Sequence, residues 1–312
     1  MAAPSASCEH PAPGAFPESD GNTRFTVWAP YAEAVHVEIY APDGHTVTRR
    51  TPLYPLGVNR FHPGYFTGHV SDAPPGTLYK LQLHGADKRV SRPDPAARRQ
   101  PLGVHGPSEV IASISSTVRI AKIAKTGPEQ FGTAPTALEN SDRADHVELS
   151  AFVNHAEPSE HTKHTRRGEQ NRRSEPYRAL PLREWILYEI HPGTFSPEGD
   201  LRAAEKYLPE LKELGVNAIE IMPIAQFPGK YNWGYDGVYP FAVHNTYGRP
   251  EDLLHFVQTC HELELSVCLD VVYNHLGPEG NYLRDFGPYF TDRYHTPWGE
   301  ALNFDGAGSD AV

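Results

Sequence analysis

Cysteine is scarce in this chain: Cys8, Cys260 and Cys268 are all it has, an odd and unpatterned set. No disulfide framework or CxxC metal site can be built from them. Cys260 falls on the apolar face of an expected helix and Cys268 inside an expected strand, where a free thiol behaves as a small hydrophobe. Long apolar runs are missing too. No stretch approaches the ~20 residues that span a bilayer, and residues 1–22 have neither the basic start nor the apolar run of a signal peptide. The expectation is a cytoplasmic protein with no membrane partner. Basic charge is also short, with 28 Lys and Arg against 39 Asp and Glu, a formal net charge of −11. So acidic a chain repels polyanions, and no nucleic-acid partner is expected. Neither GxGxxG nor GxxxxGK(S/T) follows any expected strand, which argues against a nucleotide site.

Turn formers, by contrast, are plentiful, with 30 Pro and 26 Gly. Across 24–111 they punctuate short runs such as "RFTVWAP", "AVHVEIYAPDG", "FHPGYFTGHV" and "GTLYKLQLHG". Apolar and polar residues alternate in these runs, as in half-buried strands. Closely spaced strands of this kind predict an immunoglobulin-like β-sandwich, which either binds a ligand or packs on the domain C-terminal to it. Residues 1–23 read as a disordered N-terminus. From 112 to 180 the texture is that of a polar linker or insertion. "EHTKHTRRGEQNRRSEPYR" has almost nothing to bury and cannot offset its ordering entropy. His146, His155, His161 and His164 lie in this region, but no Cys or acid joins them at a metal-site spacing, so no metal is assigned. Arg166, Arg167, Arg172 and Arg173 lack interleaved aromatics, so they do not read as a nucleic-acid surface.

Residues 181–312 change again. "WILYEIH", "NAIEIMPI" and "SVCLDVVYNH" are short apolar runs of buried-strand size. Between the first two, Leu201, Ala204, Leu208 and Leu211 share a helical face, with Pro209 forcing a kink or restart and Gly215 a stop. Between the second and third, Leu253, Phe256, Val257, Cys260 and Leu263 do the same. Strand and helix alternate as in a parallel α/β fold, open or closed. Ligands of such folds meet the carboxyl ends of the strands. Those ends carry Glu189 and His191, then Gln226, Tyr231, Trp233, Tyr235 and Asp236, then Asp270, Tyr273, Asn274 and His275. Aromatic faces beside carboxylate, amide and imidazole suit a sugar, whose C–H faces pack on rings while its hydroxyls take directional hydrogen bonds.

"DVVYNH" with its preceding strand resembles the first signature region of α-amylase-type glycoside hydrolases. The longer stretches "YEIHPGTFSPEGD", "ELGVNAIEIMPIAQFPGKYNWGYDGVYPF", "YNHLGPEGNYLRDFGPYFTDRYHTPWGEALNFDGAGSD" and "PDPAARRQPLGVHGPSEV" are similar to the maltooligosyltrehalose trehalohydrolase family within that group. The resemblance implies an N-terminal β-sandwich and a (β/α)8 TIM barrel. It also implies retaining hydrolysis of an α-1,4 bond that releases trehalose from maltooligosyl trehalose, without a redox or nucleotide cofactor. His275 would then bond the sugar on the non-leaving side, Tyr235 would be its aromatic platform and Asp270 would orient neighbouring groups. Trp233 would line a subsite, and Asn274, a calcium ligand in some relatives, stands beside them. Capping and packing are the plainer roles open to all five.

By the same resemblance the nucleophile and the acid, roughly 5 Å apart, stand on the fourth and fifth barrel strands, with a third aspartate after the seventh. Residues 185–312 are about half of the roughly 250 that such a barrel takes, and three strands are expected in them. No catalytic residue is assigned, and Asp236, Glu279 and Asp305 give no ground for naming one a nucleophile. The expectation is a catalytically incomplete chain whose partners are an α-1,4-glucan or maltooligosyl trehalose and, as a protein, a complementing C-terminal barrel fragment. The alternatives are a glucan branching enzyme relative and a non-catalytic glucan-binding remnant. An unclosed parallel sheet exposes an apolar edge, so residues 181–312 expressed alone are expected to aggregate. A sharp monomer peak with cooperative thermal unfolding would refute this.

Overall fold

The computed structural model describes residues 12–56, 64–86, 88–112, 177 and 180–312. The readings placed on 113–176, from the histidines to the arginine run, and on Cys8 lie outside them.

The first part is built of β1 (Gly14–Pro17), β2 (Thr23–Trp28), β3 (Ala34–Tyr40), β4 (Val47–Pro55), β5 (Tyr65–Val70), β6 (Leu78–His84), β7 (Arg89–Arg92) and the short β8 (Ser108–Glu109). The strands run in the order β1-β2-β5-β4-β3-β6-β7, with β8 on β6, and every pairing is antiparallel. Alternation in the sequence becomes two faces. Val35, Val37 and Ile39 of β3 and Tyr79, Leu81 and Leu83 of β6 are buried inward, against Phe25 and Val27 of β2 and Phe66 and Val70 of β5. Strand β4 pairs with β3 along most of its length but with β5 only at Tyr54 and Pro55. It therefore carries one sheet round onto the other. The turn after β3 is pinned by Asp43, whose carboxylate accepts from the amides of His45 and Thr46 and from the Thr46 hydroxyl; these bonds hold its pKa down at about 2. Strand β1 corrects the expectation of disorder for 14–17, within the described part of 1–23: Gly14 to Pro17 pair with Thr26 to Thr23 and extend the sheet by one edge strand.

The second part holds β9 (Leu187–Ile190), β10 (Ala218–Ile221) and β13 (Ser266–Leu269), three parallel strands with β10 in the centre. Helices α1 (Pro192–Phe195), α2 (Leu201–Ala204), α3 (Leu208–Leu214), α4 (Pro250–Glu262) and α5 (Leu283–Phe286) connect or follow them. Two antiparallel hairpins, β11 (Ala225–Gln226) with β12 (Tyr239–Val243) and β14 (Phe290–Thr296) with β15 (Gly299–Leu302), complete it. Ile219 and Ile221 are buried against Leu208, Leu211, Phe256 and Cys260 of the helices. Burial pushes the Cys260 thiol up to about 12, so it stays protonated. On the opposite face Glu189, Glu220 and Cys268 lie in register across the three strands.

The expected long helix over 201–216 is broken as its proline requires. After α2 comes a 3-10 turn at Glu205–Tyr207, and α3 restarts with Pro209 in its first turn, where a missing N–H costs nothing. Asp200 caps α2 by accepting from Ala203 N at 2.8 Å, and Gly215 ends α3 at φ 100°. Each parallel strand is shorter than its apolar run, so Tyr235, Asp270, Asn274 and His275 stand in the loops beyond, while Glu189 lies within β9 and Gln226 within β11.

The two parts are packed together. Phe286 of α5 lies in the sandwich core, Tyr289 meets Trp28 edge-on at 5.0 Å, and Asp285 bonds Arg92 at 2.5 Å and Lys88 at 3.1 Å.

Asp94, 1% exposed, accepts from the Tyr79 hydroxyl at 2.7 Å and from Ala96 N at 2.9 Å. Burial outweighs these bonds and pushes its carboxyl up to about 6. The protonated form is the one the fold prefers. That contribution is full below the unfolded value near 4 and is lost as pH rises through 6. At about 1.4 kcal/mol per pH unit, the two-unit window is worth roughly 3 kcal/mol. Chemical denaturation of Asp94→Asn and the parent should therefore show the variant gaining about 2–3 kcal/mol relative to the parent between pH 4 and pH 7; a constant difference overturns the assignment.

Candidate functional site

The carboxyl ends of β10 and β13 lie side by side because Asp270 N reaches Ile221 O at 2.9 Å, one step beyond the strands. The chain leaving β10 must return to that edge. Gly234, at φ 93°, makes the return: a Cβ there would stand 2.2 Å from the Pro223 carbonyl oxygen. Asn232 braces the turn, donating to Asp236 at 2.6 Å and accepting from Gly234 N at 2.7 Å. The result is Tyr235 delivered to Asp270, its hydroxyl donating to Oδ2 at 3.1 Å. That bond, followed by partial burial and the negative charges of Asp270, Glu189 and Glu220, holds the phenol above its ordinary pKa.

His275 closes the cluster. Its Nε2 donates to the Tyr235 carbonyl at 3.0 Å, and its ring stacks on Trp298, centroids 5.0 Å apart and planes 19° from parallel. With Nε2 the donor, Nδ1 of the neutral ring is an acceptor, and it is buried without a partner among the described residues. A buried acceptor left unmet costs about 1–3 kcal/mol, which a ligand hydroxyl would offset.

Of the five residues named from the sequence, Tyr235, Asp270 and His275 are thus joined by hydrogen bonds. Trp233 stands on the same loop, 74% exposed. Asn274 faces elsewhere, lining an open cavity of about 510 Å³ with Tyr273, Tyr294, Phe304 and Asp305. Other strand-end groups brace the backbone instead. His191 bonds Asn232 O at 2.7 Å and Tyr247 at 3.1 Å, and Gln226 accepts from Asn245 N at 2.9 Å. Trp298 was not singled out by sequence reasoning. It sits in the turn between β14 and β15, 63% exposed, and its "TPWG" context gives a turn but no partner.

Comparison with known proteins gives the family. Residues 135–295 match the α-amylase catalytic domain. This chain belongs to the α-amylase family. Residues 13–97 match carbohydrate-binding module 48, described as the isoamylase N-terminal domain. A malto-oligosyltrehalose trehalohydrolase of Saccharolobus solfataricus is 40% identical over 295 residues, 95% of this chain and 40% of its own length. One of Arthrobacter ramosus is 51% identical over 136 residues, 44% of this chain and 24% of its own. Among solved structures, a putative α-amylase from Salmonella typhimurium superposes with a TM-score of 0.69 at 31% identity, covering 96% of this chain and 40% of that one. The chain thus spans about 40% of the length of the Saccharolobus relative. Its parallel sheet fits part of the barrel such proteins carry.

The loop that carries His275 is packed hard against the returning one: a Cβ on Gly277 would lie 2.2 Å from the Asp236 carbonyl oxygen. Gly277→Ala should therefore lower stability by roughly 1–3 kcal/mol, as overpacking does, read as a drop in thermal midpoint. An unchanged midpoint would show that the loops are not locked together.

Proposed function

We propose that this chain supplies the sandwich and the glucan-holding half of an α-amylase-type hydrolase that releases trehalose from maltooligosyl trehalose. The observation that carries the reading is the convergence of Tyr235, Asp270 and His275 at the carboxyl ends of β10 and β13, beside the exposed rings of Trp233 and Trp298. Rings take the apolar face of a glucose unit, and the polar groups fix its hydroxyls. Tyr235 is the platform, held in place by Asp270. His275 offers Nδ1 to a hydroxyl on the non-leaving side, and Trp233 lines a neighbouring subsite. Asn274, next to His275 in sequence, lines the open cavity with Tyr273 and Phe304 instead.

In this reading β9, β10 and β13 are the first three strands of a (β/α)8 barrel over 181–312, joined through 112–180 to the sandwich. The nucleophile and acid of the retaining mechanism belong to strands that follow β13 in the family's order. Barrel strands bearing them would complete the site. The names of the relatives support a trehalohydrolase over a branching enzyme, and the free thiols Cys260 and Cys268 suit a reducing, cytoplasmic setting.

The test is electrophoresis through amylose, followed by a trehalose assay, on a gel-filtered preparation of the whole chain. The parent should be retarded. Trp233→Ala and His275→Ala should each weaken retardation about 2- to 10-fold, the range for loss of one ring or hydrogen bond. Trehalose release from maltooligosyl trehalose should stay at the level of a heat-killed control. Release above that level would place reacting carboxylates within this chain; unaltered mobility of both variants would remove the glucan reading.

A further inference from the structure

The sandwich segment 100–106 packs against the loops that carry the candidate site. Two successive turns, Gly103 N to Gln100 O and Gly106 N to Gly103 O, make that segment compact. Its tip, Val104, is buried with Ala97, Val238, Tyr239 and Ala242 in an apolar cluster that joins sandwich to barrel. Opposite lies Gly280, at φ 80°, so close that a Cβ on it would stand 2.4 Å from the Val104 Cβ. The buried Tyr239 hydroxyl ties the two, lying 2.8 Å from Val104 O and 3.1 Å from Gly280 O. Beside it His105 bonds the Tyr282 hydroxyl at 2.7 Å and approaches Glu279 at 3.4 Å, while the Arg92 guanidinium covers the Tyr282 ring at 4.4 Å.

From the barrel side the same loop is held at alternate residues of one short segment. Tyr235 O meets His275 Nε2 at 3.0 Å, Gly237 O accepts from Gly277 N at 3.0 Å, and the Tyr239 hydroxyl reaches Gly280 O. His275 is thus the first rung of three, and the third rung is the one shared with the sandwich.

We propose that Tyr239 and His105 are positioning residues, through which the sandwich segment 100–106 fixes the 275–282 loop and so the orientation of His275 toward a bound glucose unit. Neither touches the sugar; each acts through the loop. The consequence for binding rests on the glucan reading above, whereas the clamping of the loop does not. In this view the sandwich serves the site as a rigid backstop, in addition to any carbohydrate it binds itself.

The experiment uses the whole chain with Tyr239→Phe, which keeps the buried ring, and His105→Ala, an exposed change that leaves the core intact. Amide exchange across 274–282 and retardation by amylose are measured together. Tyr239→Phe should speed exchange at Gly277 and its neighbours about tenfold, the factor for one lost hydrogen bond, while β3 and β6 stay unchanged. Retardation should weaken about 3- to 10-fold. His105→Ala should move both in the same direction, and His105→Asn, whose amide can stand where Nδ1 stood, should restore them. If exchange over 274–282 is unaltered in both variants, the clamp is overturned whatever the ligand. If exchange rises, and His275→Ala lowers retardation while Tyr239→Phe and His105→Ala do not, the positioning role falls and the glucan reading stands. If His275→Ala also leaves retardation unchanged, both fall. Should Tyr239→Phe fail to fold, His105→Ala decides the matter.

Discussion

Backbone pairing on both sides of β10 is the constraint on which the site depends. Ala218 to Ile221 lie in parallel register with Leu187 to Ile190 on one side and Ser266 to Leu269 on the other. A parallel ladder sends all three chains out at the same end. Two further bonds, Met222 N to Ile190 O and Asp270 N to Ile221 O, carry the pairing one step past the strands. They set Asp270 at the lip of the sheet with its side chain on the face away from the helices, two residues on from Cys268. Isoleucines on the other face anchor that geometry in the apolar layer, where burial at about 25 cal/mol per Å² supplies far more stabilisation than the polar contacts at the rim.

Given that lip, the polar cluster is assembled by loops, and the loops are shaped by glycine. Gly234 and Gly277 each bring backbone within a distance that no side chain tolerates. The hydrogen bonds of Tyr235 to Asp270 and to His275 can form only because those close approaches are made. The hydrogen bond to Asp270 raises the Tyr235 phenol most, with partial burial and the negative charges of Asp270, Glu189 and Glu220 adding to it.

Much of this was legible in the sequence. The alternation of strand and helix, the restart at Pro209, the stop at Gly215 and the inward faces of β3 and β6 are local matters of propensity and period, and they appear as the sequence implies. Tyr235, Asp270 and His275, which hydrogen bonds join, stood out by position as polar groups after apolar runs. What was not legible was long-range. Strand β1 is four residues containing Gly and Pro, and only its pairing with β2 makes it a strand. His191 and Gln226 look as free to bind a ligand as His275 does, yet both His191 ring nitrogens and both Gln226 amide atoms have partners in the fold, whereas Nδ1 of His275 has none among the described residues. Trp298 meets His275 only because the hairpin of β14 and β15 folds back over the loop. Side-chain commitments of this kind follow from tertiary approach, which neither spacing nor composition encodes.

Strand β4 has a consequence of its own. It is hydrogen-bonded to β3 along one edge and, at Tyr54 and Pro55, to β5 along the other. The two layers of the sandwich are therefore not independent ribbons glued by their apolar sides. They are a single continuous fabric folded over at one thread, and fraying that thread strips partners from both layers at once.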